Sequence, residues 1–199
     1  MGVYLWTDTA YIPTANTLAY FPFNTDQLDK VWSVTIQATG TKQTLWFLFD
    51  LWSSNLYFNN LSDNAKFVSF WVKFWSVKSW GNNQTVQMKT PQMFYSYYNV
   101  TSSFNQRFAY YNGSWHASNQ ATTTSWTWYY FAYGYTGTNV VAYINWNQIL
   151  NVATSTASTT FEIWRNINQT LSELIFETQV WTAQEIQDYY NKTKSNYWL

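Results

Sequence analysis

The chain has 199 residues, ten Lys or Arg balanced by ten Asp or Glu, and only 10% charged residues. A near-zero charge offers no basic surface to displace counterions from a phosphate backbone, which argues against a nucleic-acid binder. The lack of cysteine excludes disulfide and thiolate chemistry, and a single histidine, His116, excludes His-rich metal sites.

This length fills one domain. Low net charge also removes a repulsion that keeps proteins monomeric, so self-association fits the composition. Polarity comes from uncharged groups, 20 Asn, 26 Thr and 17 Ser, beside 17 Tyr, 14 Phe and 14 Trp. Thr and the aromatics suit a pleated, half-buried surface. The aromatic content is too high for a disordered chain.

Residues 2–8 alternate, with Val3, Leu5 and Thr7 on one face and Tyr4, Trp6 and Asp8 on the other. This is the period of a strand. Pro13 separates it from the body of the chain, dividing the sequence into an N-terminal strand over 1–13 and a main domain over 14–199. Such a strand must satisfy its amides either in its own sheet or on the edge of a neighbour's. Under exchange, Val3 and Leu5 fill apolar pockets and Tyr4 and Trp6 cover the other face.

Further strands are expected at 17–23, 31–37, 44–50 and 66–75. In the last, Val68, Phe70, Val72 and Phe74 share one face, and Phe67, Ser69, Trp71, Lys73 and Trp75 the other. Strands at 84–89, 93–98 and 106–111 follow the turn cluster Trp80-Gly81-Asn82-Asn83. Segments 126–133 and 139–145 read as a hairpin around Gly134–Gly137. Strands 160–164 and 171–178 close the β part. Many short strands with turn signals between them give an antiparallel β-sandwich.

One helix is expected, at the end. Thr182-Ala183-Gln184-Glu185 is a capping box, in which the Thr hydroxyl and Glu carboxylate each satisfy the other's backbone amide. Ile186, Tyr189 and Tyr190 then share a face, Asp188 and Lys192 stand at pairing distance, and Tyr190-Asn191 closes the helix. No stretch approaches the ~18 apolar residues that span a membrane. The start lacks a basic segment followed by an apolar one, so no Sec leader is read there.

Three stretches resemble laminin-G-like jelly rolls of the concanavalin A-like superfamily. They are Leu18-Ala19-Tyr20-Phe21-Pro22-Phe23-Asn24, then Trp128-Tyr129-Tyr130-Phe131-Ala132 with Val141-Ala142-Tyr143-Ile144-Asn145, and lastly Ile163-Trp164-Arg165 with Leu171-Ser172-Glu173-Leu174-Ile175-Phe176 and Thr182-Ala183-Gln184-Glu185-Ile186-Gln187-Asp188-Tyr189-Tyr190-Asn191. The resemblance implies a jelly roll with one short C-terminal helix. It leaves function open, because this fold carries lectins, enzymes, adhesion modules and virion parts. Some relatives bind Ca²⁺ at a sheet rim, for which Asp26, Asp29, Asp63 and Asn64 qualify by type alone.

Trp126, Trp146 and Trp164 stand where that family usually has glycine. With 14 Trp and 6 Gly in the chain, the two residues nearly exchange their ordinary frequencies. Either UGA codons at these turns are read as glycine in the source lineage, or the protein uses Trp there.

Catalysis is not expected. Glycosidases need two carboxylates close together. Glu173 and Glu177 share a strand face but stand four residues apart, ~13 Å along an extended chain. Glu173 reads as a solvent-face or ladder residue, Glu185 as a cap and His116 as a rim histidine. The aromatic excess carries the functional lead. Tyr95, Tyr97, Tyr110 and Trp115 are candidate stacking platforms for a glycan. The leading expectation is a non-catalytic structural subunit of an extracellular or virion assembly that binds copies of itself. The alternative is a lectin-like carbohydrate-binding module.

Overall fold

The computed structural model describes residues 11–21, 35–38, 41–43, 46–49, 56–59, 65–77, 83–89, 94–99, 105–111, 114–117, 121–124, 126–154, 160–163 and 167–199. Val3, Tyr4, Leu5 and Trp6 lie outside them, as do Trp164 and the Ca²⁺ candidates Asp26, Asp29, Asp63 and Asn64.

Strands in chain order are β1 Thr17–Phe21, β2 Thr35–Ala38, β3 Thr41–Gln43, β4 Trp46–Phe49, β5 Leu56–Asn59 and β6 Phe67–Val77. Next come β7 Asn83–Lys89, β8 Phe94–Asn99, β9 Asn105–Tyr111, β10 Trp115–Ala117 and β11 Ala121–Thr122. The last are β12 Trp128–Tyr135, β13 Asn139–Ile144, β14 Asn147–Ala153, β15 Thr160–Ile163 and β16 Ile167–Glu177, followed by helix α1, Ala183–Thr193. They form two antiparallel sheets of eight strands, a jelly-roll β-sandwich with one short C-terminal helix. The first sheet runs β14-β13-β12-β6-β16-β4-β3, and the second β10-β9-β8-β7-β15-β5-β2. β1 joins the first sheet on β16, and β11 joins the second on β9. The short strands β3, β5, β10, β11 and β14 have no counterpart in the sequence reading, because two to seven residues of mixed polarity show no clean alternation.

Two central strands of the first sheet are apolar on both faces because both are covered, the pattern of a fully buried strand. On one face Phe70 meets Phe131 and Tyr133 edge-on, at 5.8 and 6.4 Å. On the other, Trp71 lies against the C-terminal segment. Its ring stacks on Tyr197 at 4.2 Å and on Tyr190 at 5.5 Å. Its indole N–H donates to Thr193 Oγ1 at 3.2 Å.

The capping box forms as the residue spacing requires. Thr182 Oγ1 accepts from the Glu185 amide at 3.2 Å, and Glu185 Oε2 accepts from the Thr182 amide at 2.7 Å. Ile186, Tyr189 and Tyr190 are buried. The helix does not end at Tyr190-Asn191. It continues to Thr193 and into a 3-10 turn, Lys194–Tyr197, because Thr193 and Tyr197 still find the sheet. Asp188 accepts from Gln184 Nε2 at 2.9 Å.

The β12–β13 turn is Thr136–Thr138, so Gly134 belongs to the strand. It is glycine because a Cβ there would stand 2.3 Å from the Lys66 carbonyl oxygen. Trp126 has φ 67° and is 64% exposed. Asn145, beside Trp146 in the β13–β14 turn, has φ 58°. Both are left-handed conformations, cheap for glycine, tolerated by Asn and costly for Trp.

Candidate functional site

The second sheet sorts its residues by register, since directly opposed residues of an antiparallel pair share a face. One row crosses six of its strands: Gln37 opposes Tyr57, Tyr57 opposes Glu162, Glu162 opposes Gln87, Gln87 opposes Tyr95, and Tyr95 opposes Ala109. Two residues along β8, Tyr97 opposes Gln84 and Arg107. Two residues along β9, Tyr111 opposes Trp115. Tyr95, Tyr97 and Trp115 therefore share a face with Tyr57, Tyr111 and Glu162. Tyr110 does not. It opposes Phe94 and His116 and falls on the alternate face, with Phe161 and Met88 in the same row. One face is thus a mixture of tyrosines, amides and single charges, and the other is largely apolar. Tyr57 and Glu162 escaped the sequence reading, because their alignment with Tyr95 depends on β15 lying between β5 and β7.

Of the two carboxylates of β16, Glu173 differs from the expectation. Glu173 is not on a solvent face but 8% exposed. A bulge puts it there. Ser172 opposes Trp71 and Ile175 opposes Ser69, so two residues of β16 face one of β6. Glu173 takes φ 51° within it. Its Oε2 accepts the Tyr189 hydroxyl at 2.6 Å. Glu177 is 2% exposed and accepts from Thr17 Oγ1 at 3.0 Å and from the Tyr11 hydroxyl. Burial pushes the Glu177 carboxyl above its ordinary value, against hydrogen bonds from Tyr11, Thr17 and Trp181 that hold it down. Burial, reinforced by a hydrogen bond to Glu177, likewise pushes the Tyr11 phenol up. Both carboxylates fasten the helix and the first strand to the sheet. Tyr11 itself packs on Tyr20, Trp181 and Tyr189.

The fold has solved counterparts. Domain 4 of AbnA, an extracellular arabinanase from Geobacillus stearothermophilus solved with arabinotriose, matches with a TM-score of 0.65 at 17% identity, over 88% of this chain and 98% of that one. Trypanosoma rangeli sialidase, solved with the inhibitor DANA, matches with a TM-score of 0.70 at 12% identity, over 92% of this chain and 34% of that one. The binding domain of botulinum neurotoxin DC, solved with rat synaptotagmin II, matches with a TM-score of 0.67 at 12% identity. The chain covers 51% of that toxin domain, about half its length. At these identities the likeness is one of fold. No family model and no curated protein matches the sequence.

Among the described residues no three His, Asp or Glu gather as metal ligands. No helix among them is long and apolar enough to cross a membrane. A cleft at the end of β12 is lined by Lys73, Trp126, Trp128, Tyr197 and Trp198, with the Lys73 ammonium 5.0 Å from the Trp128 ring. Two of those indoles, Trp126 and Trp198, sit on positive-φ residues.

Proposed function

We propose that the protein is a non-catalytic, laminin-G-like carbohydrate-binding module that acts at an extracellular surface. The observation that carries this reading is the register row from Gln37 to Tyr95, flanked by Tyr97, Tyr111 and Trp115. The apolar set, with Phe161, Met88 and Phe94, is what a sandwich core requires. On this reading the alternate set is the ligand-binding one. Tyrosine and tryptophan suit the apolar faces of sugar rings, and Gln87, Glu162 and Arg107 are of the types that bond hydroxyls. Aromatic residues with adaptable polar neighbours are the usual anchors of a recognition surface. The arabinotriose held by the fourth domain of the arabinanase supports the choice of probe.

The test is titration of the purified protein with arabinotriose and a panel of neutral oligosaccharides. Saturable binding is expected, with Tyr95→Ala, Tyr97→Ala and Trp115→Ala each weakening it by about tenfold, a step of ~1.4 kcal/mol. A folded protein that binds no glycan on the panel overturns the reading. The assembly reading rests on residues 2–8. Size-exclusion of the intact chain and of a chain lacking residues 1–10 tests it while leaving Tyr11 in place. An assembly that disappears on truncation favours strand exchange.

A further inference from the structure

The core beneath helix α1 reaches outward through three half-buried apolar side chains, Tyr11, Val180 and Trp181. Val180 and Trp181 also line a second cleft, of about 340 Å³, beside the start of the helix. Val141 and Tyr143 of β13 complete its apolar lining. Polar groups in the lining are satisfied locally. The Thr182 amide and hydroxyl both donate to Glu185 Oε2, and Gln179 Oε1 accepts from Asn16 Nδ2 at 3.2 Å. What the cleft leaves uncovered is therefore apolar surface. Tyr11 stands against one wall of it. Its ring stacks on Trp181 at 5.9 Å, with 27° between the planes, and its hydroxyl is bonded to Glu177 and Thr17. These contacts fix where the chain enters the domain. Ten residues precede Tyr11, and Val3, Tyr4, Leu5 and Trp6 are among them.

We propose that this cleft seats the chain's own N-terminal segment, residues 2–8, with Trp6 as the anchor. Reach allows it. Trp6 is five residues from Tyr11, so an extended chain carries it up to ~17 Å, and the cleft begins at Trp181, in contact with Tyr11. Chemistry favours it. The period of a strand sets Tyr4 and Trp6 on one face, and aromatic side chains gain most by covering apolar walls such as Val141, Val180 and Trp181. Competition favours it too. A segment tethered beside its seat has an effective concentration on the order of millimolar, above that of a second copy in dilute solution. The cleft holds a few side chains, not the ~800 Å² that a folded partner would cover. This seat is independent of glycan binding at the second sheet. It gives residues 2–8 a place within one chain, where strand exchange would put them on a neighbour.

The chain has no cysteine, so an introduced pair is unambiguous. Thr7→Cys is combined with Ala183→Cys, an exposed position of the cleft lining. The control pairs Thr7→Cys with Asn147→Cys, exposed at the end of the β13–β14 pair away from the Thr136 side of the cleft. A short bismaleimide is expected to link positions 7 and 183 within one chain at least tenfold faster than positions 7 and 147. Adding Trp6→Ala is expected to remove that advantage, with circular dichroism confirming the fold of each variant. Links between chains would place the segment on a neighbour and overturn the proposal. A rate no better than the control overturns it as well, and so does a rate that survives Trp6→Ala. Should the cysteine variants fail to fold, methyl NMR compares the wild-type chain with one lacking residues 1–10. The Val141 and Val180 methyl resonances are expected to shift when the segment is removed, and unchanged positions overturn the proposal.

Discussion

The Tyr189 hydroxyl donates to Glu173 Oε2 across 2.6 Å, joining the middle of helix α1 to the bulge in β16. The bulge lies where the edge of β16 changes partner. β4 pairs with Gln169–Leu171, and β1 with Leu174–Glu177. One irregularity therefore lets two short strands share an edge and turns a carboxylate toward the helix. Tyr189→Phe removes the donor and leaves a buried carboxylate with one fewer partner. Its cost is expected at about 1.5–3 kcal/mol, the range for a hydrogen bond to a charged group. Urea denaturation measures it. An unchanged midpoint would show that the bond does not hold the helix.

Trp126 takes a left-handed conformation while most of its indole faces solvent. A side chain there costs roughly 1–2 kcal/mol in backbone strain, and little burial is available to offset it. Trp126→Gly should therefore raise stability by about 1 kcal/mol. The same position tests the codon reading: peptide mass spectrometry of the protein from its native source should give glycine at 126. A tryptophan mass there would show that UGA reassignment does not explain the aromatic excess.

Tyr130, Tyr133, Tyr189 and Tyr197 all have phenols pushed well above the ordinary 10.0, first by burial and, for all but Tyr133, also by the Glu173 charge. The folded state keeps protons that the unfolded chain releases near pH 10. Stability is then full below that pH and falls as pH rises beyond it. In an alkaline titration, part of the absorbance of the chain's 17 tyrosines should appear only together with the loss of β circular dichroism. Complete tyrosinate absorbance in the still-folded protein would contradict the burial of these hydroxyls.

Glu177 acts on the acid side with the same sign. Its carboxyl is raised from the ordinary 4.5 by burial. The folded state therefore holds the proton longer than the unfolded chain. Its contribution is complete below 4.5 and is lost as pH rises through the higher folded value. Glu177→Gln should flatten the stability profile across that acidic window. A profile identical to the wild type would remove Glu177 as its origin.

Thr182→Ala breaks the capping box and should cost ~1 kcal/mol. Binding of neutral oligosaccharides at the second sheet should not change, because that sheet lies apart from the helix. A loss of that binding at unchanged stability would give Thr182 a role beyond the cap.

The local features were legible in the sequence because each depends on neighbours in the chain. Alternation marked β6, and the spacing from Thr182 to Glu185 marked the helix start. The shortage of glycine at turns marked Trp126. The candidate sites were less legible, because sheet order decides them. Tyr57 and Tyr95 meet in one row only because β15 inserts between β5 and β7, and Tyr110 leaves that row because β9 pairs in the register that sets it opposite Phe94. Glu173 was misplaced for a related reason. Alternation puts a polar residue of an edge-like strand in solvent, but a bulge and a helix covering that face bury it. Chain-local periods fix which residues can form strands and caps. Only the pairing of distant strands decides which of them stand side by side.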